Sequence, residues 1–138
     1  MAYEKFTFDL GELKLYKKDI AELEKAFEGP GEYLVLTDEL ADSHVKSEIL
    51  SNLWAFGTDF LAVKTGLPSK VFSCLIEKMG KGANDAIRSL IQCTCSEASV
   101  VNAAVKCNSR GQFLSSYDGD ELTYTTKSGK VLYLYRCN

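Results

Sequence analysis

Apolar residues recur at helical spacing through the middle of the chain, from about residue 43 to residue 105. A serine, threonine or asparagine stands where each predicted helix begins, and a glycine follows several of the predicted helices. The pattern therefore predicts five successive helices. The second of them is short, about Asp59 to Thr65. The expected inward-facing residues of the other four are Val45, Ile49, Leu53 and Phe56, then Val71, Phe72, Leu75, Ile76 and Met79, then Ile87, Leu90 and Ile91, and finally Val100, Val101, Ala104 and Val105.

The first 37 residues show a different pattern. Residues 5–8 and 13–16 alternate between apolar and polar side chains, and 9–12 can turn the chain, which predicts two short strands or a hairpin. A helix is expected from Lys17 to Glu28, because Gly-Pro-Gly follows it. Residues 33–37 are typical of a buried strand.

Strand patterns return after Gly111. Residues 112–115, 121–125 and 131–135 are predicted strands, and the last two flank a Ser-Gly turn typical of a hairpin. The prediction is a single α+β domain, residues 1–138, with five to six helices packed on a small antiparallel sheet made by the N-terminal strands and the C-terminal hairpin. Tyr133 and Tyr135 on a possible edge strand would allow a homodimer by sheet pairing.

Composition and charge narrow the function classes. The 138 residues are 46% apolar and 25% charged, as in one ordinary globular domain. The formal net charge of −3 counts against nucleic acid as the partner. No apolar run reaches the roughly 18 residues that span a bilayer, and the first residues lack the order of a signal peptide. We expect a cytoplasmic protein with no membrane partner.

The five cysteines are too irregular for a metal site. Only Cys93 and Cys95 lie close together, and their spacing does not match a zinc site. An odd number without a secretory signal favours free thiols, and Cys74 falls on the predicted inner stripe of its helix, beside Leu75. We expect most of the five to be buried as small apolar side chains, with no metal and no cofactor.

Residues 60–76 resemble a helix-turn-helix DNA-binding element. Ala62 stands where two helices would cross, Gly66 would make the turn, and Phe72 would wedge the second helix. In that alternative, the residues facing the groove are Ser69, Lys70, Ser73 and Lys78. Two packed helices joined by a glycine turn explain the same residues without DNA.

A glycine-containing loop near the C-terminus gathers charged and aromatic side chains. The candidate binding residues are Arg110, Gln112, Tyr117, Asp118, Asp120 and Glu121. Arg110 is expected to pair across the loop with the acids at 118, 120 and 121, and Phe113, Leu114 and Tyr117 are expected to anchor the loop to the core. Clustered carboxylates on such a loop can hold a divalent cation or serve a small enzyme, but a solvated turn leading into a hairpin explains the same residues without a ligand.

The only histidine offers no catalytic arrangement. His44 is adjacent in sequence to Asp42 and Ser43, whereas a catalytic triad converges from separate parts of a fold. The sequence holds no strong catalytic motif, which favours a protein that is not an enzyme.

Three stretches resemble small bacteriophage-encoded proteins of unassigned function, over about residues 53–138. They are Leu53–Phe56 with Phe60–Ala62 and Thr65–Leu67, then Ala83–Ile87 with Leu90–Ile91, and finally Arg110–Glu121 with Tyr133–Asn138. In those proteins the third stretch often reads R-G-H-F-L-x-x-Y-D-G-x-E, and Gln112 replaces its histidine here. The resemblance implies a viral or prophage origin and a bacterial cytoplasm. Together with the missing catalytic motif, it favours binding to a protein partner, with inhibition of a host process such as defence as one form.

Overall fold

The computed structural model describes residues 5–8 and 16–138 and confirms the α+β class. The strands are β1 Phe6–Phe8, β2 Tyr33–Leu36, β3 Leu122–Thr125 and β4 Val131–Arg136. The helices are α1 Lys17–Ala26, α2 Asp38–Ser51, α3 Thr58–Thr65, α4 Ser69–Met79, α5 Ala83–Thr94 and α6 Glu97–Leu114, with short 3₁₀ turns at Leu53–Ala55 and Gly80–Gly82. The predicted turn at 9–12 and most of the predicted strand at 13–16 lie outside the described residues.

The four strands form one mixed sheet in the order β1-β2-β4-β3. β4 pairs antiparallel with both β2 and β3, whereas β1 pairs parallel with β2, with Phe6 opposite Tyr33. The prediction of a wholly antiparallel sheet is therefore wrong at β1. The connection from β1 to β2 contains α1, and a helical crossover of this kind lets neighbouring strands run parallel.

The position of β4 also corrects the predicted dimer surface. β4 lies inside the sheet, and Tyr135 is fully buried, so the tyrosines of this strand do not lie on an edge. In the sheet order, β3 is the edge strand next to β4.

The chain divides into two compact units, which we describe separately. The sheet unit comprises residues 1–45 and 110–138, and the helical unit comprises residues 46–109. In the sheet unit, Leu23 of α1 and Leu40 of α2 pack with the sheet in one core. The buried members of this core are Phe6, Leu23, Val35, Leu36, Leu40, Ala41, Leu132, Leu134 and Tyr135. The single domain predicted from the sequence stays a prediction.

In the helical unit, α3 and α4 begin and end close to the predicted residues. Gly66 adopts φ 76° between them, a conformation that glycine reaches without strain. Leu61 and Phe72 are buried on the two helices. The other buried apolar residues of this unit are Ile49, Leu50, Leu53, Ala83, Ile87, Ile91, Val100, Val101 and Ala104. No helix in the described ranges is long and apolar enough to cross a membrane.

The predicted start of α2 is wrong. The helix begins at Asp38, five residues before Ser43, and the side-chain oxygen of Thr37 accepts a hydrogen bond from the Leu40 N–H at 3.3 Å. Thr37 therefore supplies the capping contact that the sequence pattern predicts for Ser43. The correction brings Asp38 and Asp42 onto one helical face, four residues apart.

The expected burial of the cysteines is also wrong. Cys74, Cys93, Cys107 and Cys137 are exposed, and Cys95 is half-buried. Cys74 lies two residues after the buried Phe72, which turns its side chain to the opposite side of α4. Met79, expected to face inward, is half exposed at the last residue of the same helix.

Ser109 interrupts α6 with φ 69° and ψ 160°, and helical structure resumes through Leu114, where a strand was predicted. This backbone region is open almost only to glycine and costs other residues about 1–3 kcal/mol. We expect Ser109→Gly to raise the free energy of unfolding by about 1 kcal/mol in urea denaturation. Ser89→Gly, on the exposed face of α5, is the control and should lower it by about 0.5 kcal/mol. Destabilisation by both variants would contradict the strain at Ser109.

Candidate functional site

The predicted loop begins in the last turn of α6 and ends before β3. Arg110 follows the Ser109 interruption directly, and Glu121 immediately precedes Leu122 of β3. Nε of Arg110 donates a hydrogen bond to Oε1 of Glu121 at 2.8 Å. The two ends of the loop are therefore tied together by one charge-assisted contact.

The same guanidinium also binds the first turns of α2. Nη1 of Arg110 lies 2.8 Å from Oδ1 of Asp38 and 3.0 Å from Oδ1 of Asp42, and it donates to the Asp38 carbonyl at 3.2 Å. The guanidinium carbon lies 4.8 Å from the centre of the Tyr133 ring. With only 13% of its side chain exposed, Arg110 joins α2, the end of α6 and β4 at one point.

Electrostatics keep Arg110 charged. Burial alone lowers the pKa of the Arg110 guanidinium, but hydrogen bonds to Glu121, Asp38 and Asp42 outweigh it, and the pKa is raised above its ordinary value. Arg110 therefore stays a cation near neutral pH and does not release a proton as a general acid would.

Tyr135 completes this arrangement, which we call the Arg110 network (Arg110, Asp38, Asp42, Glu121 and Tyr135). The hydroxyl of the fully buried Tyr135 donates a hydrogen bond to Oε1 of Glu121. Burial raises the pKa of Tyr135 strongly, the bond to Glu121 raises it further, and the nearby Arg110 lowers it only in part. The phenol therefore stays protonated in the folded protein at pH values at which it has lost its proton in the unfolded chain.

This shift predicts alkaline destabilisation. Because the folded pKa of Tyr135 lies above the unfolded value near 10, its stabilising contribution is complete below pH 10 and is lost as the pH rises through the folded pKa. We expect the free energy of unfolding to fall above pH 10 by up to about 1.4 kcal/mol per pH unit from this group. Tyr135→Phe should remove most of that slope in denaturation curves at pH 8–11. Part of the slope should remain because of Tyr124, since the hydrogen bond to Glu22 raises the pKa of Tyr124 as well. An unchanged slope in Tyr135→Phe would contradict the assignment.

Asp118 organises the middle of the loop. Oδ1 of Asp118 accepts a hydrogen bond from the Asp120 N–H at 3.0 Å and lies 2.8 Å from Oγ of Ser115. These two contacts hold the pKa of Asp118 below its ordinary value. The carboxylate thus closes a tight turn, and Gly119 reaches its φ of 74° inside that turn.

Gly111 lets this turn pack against α6. A Cβ atom on Gly111 would lie 2.4 Å from the carbonyl oxygen of Gly119 and 2.9 Å from the carbonyl carbon of Asp120. Both neighbours are backbone atoms, so they cannot swing away as a side chain would. Only glycine fits this contact between helix and turn.

Tyr117, on the loop, is exposed and stacks on Arg136, the half-buried last residue of β4. The Arg136 guanidinium lies 3.8 Å from the centre of the Tyr117 ring, and 56% of Tyr117 is exposed. The Tyr117 N–H donates to the Arg136 carbonyl at 3.2 Å, and Oγ of Ser116 donates to the Cys137 carbonyl at 3.0 Å. We call this pair the Tyr117–Arg136 surface, and the backbone contacts fix it to the end of β4.

The structure separates the six predicted loop residues into two groups. Arg110, Asp118 and Glu121 make side-chain hydrogen bonds that build the loop, whereas Gln112, Tyr117 and Asp120 are exposed around it. Arg110 pairs with Glu121, as expected, but not with Asp118 or Asp120. Tyr117, expected to anchor the loop in the core, is exposed. Gln112 and Asp120 are exposed beside the turn, with the Gln112 amide against Gly119.

Asp38 and Asp42 were missed as partners of Arg110. Their i, i+4 spacing is the available signal, because it places both carboxylates on one face of a helix that begins at Asp38. The sequence does not identify Tyr135 either, because the pattern of its strand leaves open whether β4 lies at an edge of the sheet or inside it.

The helix-turn-helix candidates lie on one side of α4. Lys70, Ser73 and Lys78 are exposed, and Ser69 is half-buried, with its carbonyl accepting from Oγ of Ser73 at 3.2 Å. Exposed Cys74 and Glu77 complete the same stripe.

Among the described residues, no three His, Cys, Asp or Glu side chains are grouped so that they could hold a metal ion. Comparison of the chain with protein-family models, with curated proteins and with solved structures finds no match.

Proposed function

We propose that this is a small phage-type protein that acts by binding a protein partner through the Tyr117–Arg136 surface. The observation that carries the proposal is an exposed tyrosine stacked on a guanidinium and fixed by backbone hydrogen bonds. Tyrosine and arginine are the residue types most enriched at the energetic centres of protein interfaces. Because their geometry is set before binding, little conformational entropy is lost when a partner docks.

The chemistry of the surface favours a partner that presents a carboxylate. Nε of Arg136 donates to the Asn138 carbonyl, and its two terminal nitrogens make no hydrogen bond to any described residue. A carboxylate can approach these nitrogens in bidentate geometry while an apolar group covers the Tyr117 ring. Inhibition of a host process, such as defence, is the form of binding that the phage resemblance favours.

The test is affinity capture from bacterial lysate, before and during phage infection, with quantitative mass spectrometry. We expect a partner that is recovered with the native chain and lost with Tyr117→Ser and with Arg136→Gln. The matched control is Tyr16→Ser, because Tyr16 is also an exposed tyrosine with a cation over its ring, Nζ of Lys130 at 4.6 Å. Equal recovery by the native chain and by both loop variants would refute this surface.

DNA binding through α3 and α4 is the second candidate, and the distribution of charge favours it. The helical unit carries seven basic and five acidic residues, for a net charge of +2, whereas the sheet unit carries −5. The overall acidity that counts against DNA therefore belongs to the sheet unit. A gel shift at low salt, where electrostatic binding is strongest, should show a complex that Lys70→Ala with Lys78→Ala weakens and Lys17→Ala with Lys25→Ala does not. Absence of any complex at low salt would remove this candidate.

The third alternative, a cation or catalytic site on the loop, gains less from the geometry. The carboxylates of Asp118 and Glu121 already accept hydrogen bonds from protein donors. These oxygens build the loop, which favours a binding role for the exposed residues that it presents.

A further inference from the structure

A second surface of the sheet unit has the form of a ligand site. A groove of about 510 Å³ lies between α1 and the turn that joins β3 to β4. Its lining residues are Lys18, Ala21, Glu22, Lys25, Lys127 and Ser128, and we call it the α1 groove. The volume falls within the roughly 300–1,000 Å³ that is typical of small-molecule sites.

Hydrogen bonds hold the two walls of the α1 groove in place. The Glu22 carboxylate accepts from the Tyr124 hydroxyl at 2.8 Å and from the Lys127 N–H at 3.1 and 3.2 Å. Oγ of Ser128 donates to Oδ1 of the buried Asp19 at 3.0 Å. The hairpin turn is thus fixed to α1 at two points, so the groove is formed before any ligand binds.

The same contacts leave the groove positively charged. Glu22 and Asp19 direct their oxygens to the turn, and Lys18, Lys25 and Lys127 form no ion pair with any described residue. Three exposed ammonium groups therefore surround one carboxylate that is already hydrogen-bonded. This concentration is local, because the sheet unit as a whole carries −5.

We infer that the α1 groove binds a phosphate-bearing small molecule of about nucleotide size. Ammonium groups bind phosphate as point charges, and the lysine stems and Ala21 offer apolar surface to the rest of such a ligand. The three charges surround one compact volume, which fits a small polyanion better than an extended acidic peptide. The site is independent of the Tyr117–Arg136 surface, so either can fail without the other.

The test is a titration of the ¹⁵N-labelled full chain with ADP and, separately, with inorganic pyrophosphate at 50 mM NaCl, followed by NMR. We expect saturable shifts of the Lys127 and Ser128 amides, with binding that weakens as salt is raised to 300 mM. The triple variant Lys18→Gln, Lys25→Gln and Lys127→Gln should weaken binding by at least about tenfold, at roughly threefold per exposed charge. Tighter binding of ADP than of pyrophosphate would support a contact with the rest of the ligand.

Two controls separate the groove from bulk charge. Lys46→Gln, Lys81→Gln and Lys106→Gln together make the same change in net charge at exposed lysines of the helical unit outside the helix-turn-helix element, and should leave ADP binding unchanged. Ala21→Glu adds a negative charge to a residue that lines the groove and should weaken binding, whereas Ala21→Gln adds a side chain of the same size without the charge and should weaken binding much less. The inference is overturned if neither probe shifts Lys127 and Ser128, if both triple variants weaken binding equally, or if a glutamate-rich peptide binds more tightly than ADP.

Discussion

Gly111→Ala is expected to destabilise the protein by about 2–4 kcal/mol, although a glycine-to-alanine change in a helix ordinarily stabilises by about 1 kcal/mol. The added Cβ would meet the Gly119 carbonyl oxygen at 2.4 Å. To relieve that contact, the 115–121 turn must move away from α6, and this also pulls Glu121 from Arg110. Urea or thermal denaturation of the variant measures the loss.

Gly82→Ala is the matched control for this substitution. Gly82 also has an ordinary helical backbone, with φ −63°, but the nearest atom to its added Cβ is Cβ of Met79 at 3.9 Å. We expect no destabilisation, and up to about 1 kcal/mol of stabilisation, because alanine restricts the unfolded chain. If Gly111→Ala were as stable as Gly82→Ala, the close packing of the turn on α6 would be refuted.

The helical middle of the fold could be predicted because its signals are local. Gly66 and Gly80 end α3 and α4 through backbone conformations that the residue type itself favours, and the bounds of both helices follow from them. The start of α2 was less clear, because Thr37 and Ser43 are both capping residues and the chain offers helix formers after each. Only the observed bond from the Leu40 N–H to Thr37 decides between them.

The sheet could be predicted only in part, for a similar reason. The β3–β4 hairpin is a local structure with a Ser-Gly turn, and Gly129 has the positive φ, 92°, that such a turn uses. Whether β1 runs parallel or antiparallel to β2 depends on the path of the chain between them. The alternation of side chains carries no information about that path.

Most of the candidate site residues could be named from the sequence, but their roles could not. Arg110, Asp118 and Glu121 attracted attention as charged groups on a loop, and all three are hydrogen-bonded within the protein. A charged residue that builds a loop and one that binds a ligand have the same signature in sequence. Burial and hydrogen-bond partners separate them, which leaves the exposed Tyr117 ring, stacked on the half-buried Arg136, as the candidate binding pair.

Replacement of Arg110 by methionine is expected to lower the free energy of unfolding by about 3 kcal/mol. Methionine keeps much of the apolar stem of the side chain but removes the guanidinium over Tyr133 and the charge shared by three carboxylates. Asp38 and Asp42 are 66% and 71% exposed, so water can replace Arg110 for them at small cost. Glu121 is 30% exposed and also holds Tyr135, so most of the loss should arise there.

This division of the loss can be measured with a double variant. Adding Glu121→Gln to Arg110→Met removes the unpaired charge and should restore about 1 kcal/mol, whereas adding Asp42→Asn should restore much less, because Asp42 is well solvated. Arg88→Ala, which breaks a half-buried pair with the single carboxylate of Glu97, is the control for losing an arginine and should cost less than Arg110→Met. A loss below about 0.5 kcal/mol for Arg110→Met, the level of an ordinary surface substitution, would show that the Arg110 network does not stabilise the fold.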